Sequence, residues 1–168
     1  MIGSLILLVT MATAEPTPIS FRCDNMEVTQ NPARSHCRGN AIARQEDILI
    51  CCEAFVTKAD KDWQWQSLHC VGNVRAKRGE ELAWANEAIF KVNEGLLTLE
   101  GNPILQRGKS LMRGEQIIIE NKRNKASILK PTGIMHHTPV KKTPSLSKES
   151  ETLPNTCPLP SRPTKVVK

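Results

Sequence analysis

Two His-Cys dipeptides, His36-Cys37 and His69-Cys70, carry the side chains of this chain best suited to hold a metal, since imidazole and thiolate are the usual ligands of tetrahedral zinc. Both lie in segments where oily and polar residues alternate. In an extended strand neighbouring side chains point to opposite faces, so the His and Cys of one pair do not easily meet on one ion. The same parity splits Cys51 from Cys52, which argues against a joint redox role for them. His136-His137 stands without further ligands, and no metal or cofactor is expected. With Cys23 and Cys157 the cysteines number six, too many to pair from sequence. Cys37 and Cys70 share a repeat position two residues before a glycine. They read either as a disulfide stacked on the inner face or as two small buried hydrophobes. No nucleophile with a base and an orienting group stands out, and Glu53, Glu87 and Gln116 read as a polar rung. The chain is not read as an enzyme.

The elements that position these residues are set by a Gly-Asn pair that recurs at Gly39-Asn40, Gly72-Asn73 and Gly101-Asn102. Residues 68–92 superimpose on 97–121 without a gap at an offset of 29 residues, and 37–57 joins the register once one turn residue is removed. A fixed period of this kind means stacked repeats. Three copies are visible, and 19–28 reads as a degraded first half of another. Within a copy the period is two: Leu68, Cys70, Gly72, Val74 and Ala76 lie on one face, with His69, Val71, Asn73, Arg75 and Lys77 on the other. Such alternation marks half-buried strands. Each copy is a strand, a polar turn such as Lys77-Arg78-Gly79-Glu80, and a second strand. Strict alternation from Leu111 would turn Arg113 and Glu115 inward, so a bulge is expected there. Glycine inside a strand marks a bulge, a bend or a close approach, and that structural role is expected of each Gly-Asn pair.

Residues 1–14 form an apolar run closed by Ala12-Thr13-Ala14, which fits a secretory signal cleaved before Glu15 and predicts export. Residues 15–131 form one β domain. From 132 to 168 the composition turns to Pro, Ser, Thr and Lys, a basic tail expected to be disordered because it cannot bury enough surface to offset chain entropy. The chain's formal net charge is +6, and most of it sits in this tail, leaving the domain near neutral.

The third copy reads Leu97-Thr98-Leu99-Glu100-Gly101-Asn102-Pro103-Ile104-Leu105, followed by Leu111-Met112-Arg113-Gly114-Glu115-Gln116-Ile117-Ile118-Ile119. These stretches, with Ala83-Trp84-Ala85-Asn86-Glu87-Ala88-Ile89-Phe90 of the second copy, resemble the LptA/OstA-like lipopolysaccharide transport family over about residues 19–131. The resemblance implies an all-β fold, a repeat-built antiparallel β-jellyroll or folded "taco". It implies an interior that holds the acyl chains of lipid A, and end strands that pair with other Lpt proteins or head to tail with further copies. The inward residues expected to touch lipid are Leu68, Val74, Leu82, Phe90, Leu97, Leu99, Leu105, Ile117 and Ile119. The function expected is a periplasmic carrier in the bridge from inner to outer membrane. The alternatives are a disulfide-linked structural or adaptor protein of the envelope and an anchored LptC-like acceptor. The cysteines and the basic tail depart from the family pattern.

Overall fold

The computed structural model describes residues 17–136 and 152–164; the signal assigned to 1–14 lies outside them. Twelve strands follow one another: β1 (Ser20–Arg22), β2 (Asn25–Thr29), β3 (Arg34–Gln45), β4 (Ile48–Ala59), β5 (Trp65–Arg78), β6 (Glu81–Lys91), β7 (Leu96–Glu100), β8 (Ile104–Arg107), β9 (Ser110–Arg113), β10 (Gln116–Glu120), β11 (Lys125–Leu129) and β12 (Thr132–Ile134). All pair antiparallel in one sheet that does not close into a barrel.

The sheet is folded over along a crease that runs through the Gly-Asn pairs. Both residues of each pair have positive φ, 77° and 45° at Gly39-Asn40, 79° and 46° at Gly72-Asn73, 72° and 55° at Gly101-Asn102. Two successive left-handed residues turn the chain sharply, and the first must be glycine because a Cβ on Gly39, Gly72 or Gly101 would collide with Asp24, Glu53 or Asn86. The ladders skip at these places, between Arg38 and Ala41 in β3 and between Val71 and Val74 in β5. The structural role expected of the pair is thus the observed one.

Each long strand therefore belongs to two layers. The front layer holds β2, residues 34–38 of β3, 54–59 of β4, 65–71 of β5 and 87–91 of β6, then β7, β10 and β11. The back layer holds β1, the remaining halves of β3 to β6, then β8, β9 and β12. The inner faces of the two layers pack on each other through Cys37, Phe55, Leu68, Leu97, Leu99 and Ile117 in front and Ala41, Ile50, Val74, Ala83 and Leu105 behind.

The strands that return through the crease slip by one residue. In β6, Ala83 and Ala85 face inward behind the crease, whereas Ala88 and Phe90 do so in front of it, so the inward parity changes from odd to even. The bulge expected near Arg113 and Glu115 is the same slip, lying between β9 and β10. It also corrects one assignment. Leu82 shares the parity of Ala88 but lies behind the crease, and it packs on the outer face with Ile42 and Leu49.

Residues 19–28 are a second half of a copy and not the first half expected from sequence. They run from the back layer (β1) to the front (β2), as every returning strand does, and Asp24 N–H donates to Gly39 O as Asn86 N–H does to Gly101 O. At the other end β11 and β12 run from front to back, a first half without its return.

Past residue 131, Thr132–Ile134 still pairs with β9, and residues 152–164 of the tail form a strap over the outer side of the back layer. Residues 137–151 and 165–168 of the tail lie outside the described residues. Composition does not announce the strap because its anchors are few: a Cys51–Cys157 disulfide, Leu159 packed on Ile42 and Leu49, and the Trp84 indole N–H donating to Pro160 O at 2.9 Å. A covalent link supplies what so polar a segment cannot gain by burial.

Candidate lipid-binding groove

The rim opposite the crease is where the interior can meet solvent, and its two stretches differ in construction. Along the β4–β5 and β6–β7 turns of the front layer, a groove of about 690 Å³ opens toward the chain leading into β1. That is within the usual range for ligand sites, roughly 300–1,000 Å³. Phe21 and Trp65 form its floor with ring centroids 4.9 Å apart, backed by the buried Phe55 at 6.0 Å from Trp65. Phe21 and Trp63 remain 40% and 41% exposed, and Met26 and Val28 continue the apolar wall.

Asp60 builds this mouth. Its Oδ1 accepts from the backbone N–H groups of Asp62 and Gln64, both at 2.9 Å, and its Oδ2 accepts from the Gln66 side chain at 3.0 Å. The turn so fixed holds Trp63 at φ 59°, presenting its indole at the rim. Among the described residues no lysine or arginine lines the groove, so it suits the apolar part of a ligand.

At the β10–β11 turn the rim is latched. Arg78 of the back layer donates to the carbonyls of Glu120 and Lys125 in the front layer, at 3.1 and 3.5 Å, while pairing with Glu81. Arg107 Nε joins Glu81 at 2.7 Å. Arg78 and Glu81 are each only 5% exposed, so the pair is buried and its hydrogen bonds are charge-assisted. Asn121 adds a donation to Glu46 at 3.1 Å.

Eight of the nine residues expected to touch lipid, Leu68, Val74, Phe90, Leu97, Leu99, Leu105, Ile117 and Ile119, do face inward. They are buried against each other, and none of them lines the groove; Leu82 is on the outside. The groove residues Phe21, Met26, Trp63 and Trp65 escape the sequence reading because they lie in the degraded half-copy or beside a turn, where no repeat register points to them.

Of the two readings left open for Cys37 and Cys70, the disulfide between them is not formed. Cys37 faces Phe55 across one strand boundary and Phe55 faces Cys70 across the next, so two strand spacings, about 9.6 Å, part them. Bridged cysteines need Cα atoms within about 7 Å. Cys37 bonds Cys23 instead, at a Cα separation of 5.7 Å, and Cys52 and Cys70 remain as buried thiols. Burial, and then the neighbouring Cys52, pushes the Cys70 thiol well above the ordinary cysteine range. Cys51 and Cys52 do split across the two faces, one to the strap and one to the core. His69 meets Glu87 on the outer front face at 3.2 Å.

A family model described as LptA/(LptD N-terminal domain) LPS transport protein matches residues 22–125. The chain belongs to this family. No curated protein matches it in sequence. Among solved structures it is similar to the crystal structure of LptH, the LptA homologous periplasmic component of the lipopolysaccharide transport device from Pseudomonas aeruginosa. The TM-score is 0.62 at 17% identity, covering 74% of this chain and 90% of that one. That likeness shows a shared fold, the LptA-like β-jellyroll.

Proposed function

We propose that this LptA-family chain is a periplasmic carrier that shelters the acyl chains of lipopolysaccharide and hands them on without a chemical step. The observation that carries the reading is the aromatic groove opening into an apolar interior, in a member of a lipopolysaccharide transport family. Each CH₂ taken from water contributes about 0.8 kcal/mol, so the groove rewards even part of one chain. Deeper penetration requires the two layers to part about the crease, because the inner face is otherwise filled by its own side chains.

The two ends support assembly in line. A returning half-copy, β1 and β2, stands at one end and an outgoing half-copy, β11 and β12, at the other, so an end-to-end neighbour of the same fold would complete a copy by strand pairing. The alternative of a disulfide-linked scaffold draws little support from the cysteines, since four are paired within the chain and the other two are buried.

A photocrosslinker placed at Trp63 is expected to capture lipopolysaccharide in the native envelope, while one at the outer-face Val71 is not. Equal capture at both positions, or none at Trp63, overturns the assignment.

A further inference from the structure

The disulfide that anchors the strap borders a cavity. Beside the crease, a pocket of about 380 Å³ opens between the strap and strands β3 to β5. Its lining is polar, with Asn40, Glu53, Asn73, Arg75 and Thr156, and Cys51 and Cys157 form part of the wall. Cys51 is buried, whereas Cys157 is only half-buried, so the strap's sulfur is the one that a reagent in the pocket reaches. Across the β4–β5 ladder Arg75 stands directly opposite Cys51, and paired residues of an antiparallel ladder share one face with Cβ atoms about 5 Å apart. Arg75 Nη1 donates to Leu159 O at 3.0 Å, while its Nε–H is buried without a hydrogen-bond partner among the described residues. A guanidinium with a spare donor suits a departing thiolate: a neighbouring cation lowers a thiol's pKa from about 8.5 to roughly 3.5–7.5, and a more acidic thiol leaves faster.

The Cys23–Cys37 disulfide is matched in exposure and lacks these features. Cys23 is half-buried and Cys37 fully buried, but the ladder neighbours of Cys37 are Met26 and Phe55, and a thiolate released there would face the apolar core.

We propose that the Cys51–Cys157 disulfide is a redox clasp, opened by a small dithiol reductant that enters through this pocket. One thiolate of the reductant attacks Cys157 Sγ, the S–S bond breaks, and its electron pair leaves on Cys51 Sγ beside Arg75 as a mixed disulfide forms on Cys157. The reductant's second thiolate attacks its own sulfur in that mixed disulfide. The reductant departs oxidised to its disulfide, and Cys51 and Cys157 take up the two protons its thiols gave up. The strap then rests only on the packing of Leu159 and on hydrogen bonds from Arg75, Trp84 and Arg162, too little to hold so polar a segment.

The test treats the full native chain with limiting dithiothreitol, alkylates the freed thiols and maps them by peptide mass spectrometry. Cys51–Cys157 is expected to open on the order of tenfold faster than Cys23–Cys37, a difference that disappears in urea. Arg75→Gln should slow the opening by on the order of tenfold, and Arg75→Lys should restore most of the rate. An arginine that merely held Leu159 O would give the opposite sign, because losing that bond loosens the strap. After opening, the Trp84 indole N–H, bonded to Pro160 O in the closed strap, should exchange with solvent deuterium at least about tenfold faster. The opening order and the Trp84 exchange are read on the parent chain and decide the matter even where Arg75→Gln does not fold. Opening of Cys23–Cys37 first or at the same rate, equal or faster opening in folded Arg75→Gln, or unchanged protection of Trp84 each overturns the proposal.

Discussion

Along the rim opposite the crease, the β4–β5 turn and the β10–β11 turn occupy comparable places in two hairpins of the front layer, yet one borders an opening and the other ties the layers together. Where Asp60 gathers its own turn, its carboxylate is spent within the front layer, and the Trp63 indole beside it stays exposed at the mouth. Where Arg78 reaches over, the charge is spent between layers. A carboxylate that organises a turn thus leaves an opening, and a guanidinium that crosses closes one.

The largest test of that contrast removes the latch. Glu81→Ala leaves Arg78 as a buried charge without its carboxylate and is expected to cost about 3–5 kcal/mol, read as a lowered midpoint in urea. A change under about 0.5 kcal/mol would mean that the layers are held by apolar packing alone. Next comes a paired comparison of core and mouth. Leu99→Ala should destabilise by about 2–5 kcal/mol, whereas Trp63→Ala should stay within about 0.5 kcal/mol and lower lipid capture instead. Reversed outcomes would exchange the roles assigned to the two places.

The smallest effect concerns Cys70. Its thiol is raised in the fold, so the native chain keeps a proton that the unfolded chain releases above about pH 8.5. The native state then binds more protons than the unfolded state, so the contribution is full below that value and declines as pH rises beyond it. Urea midpoints at pH 7 and pH 9.5 in a Cys70→Ala variant should differ less than those of the parent chain.

The period of the Gly-Asn pairs made the strands and most inward residues legible, because each pair fixes where a copy begins. Leu82 shows the limit: a one-residue slip at the crease reverses parity, and nothing in the local alternation announces it. The strap was hidden for a different reason, since Cys157 lies 106 residues from Cys51 and the segment carries no strand pattern. Asp60 and Trp63 were hidden because a turn has no register to read.

The crease also sets a unit of length. Every full copy crosses it twice, once outward through Gly-Asn and once on the return, and so adds two strands to both layers. The interior can therefore lengthen only in steps of two strand spacings, about 9.6 Å, for every 29 residues of sequence. Descent by duplication would change how much of a lipid tail such a trough accommodates while leaving both half-copy ends, and whatever they join, untouched.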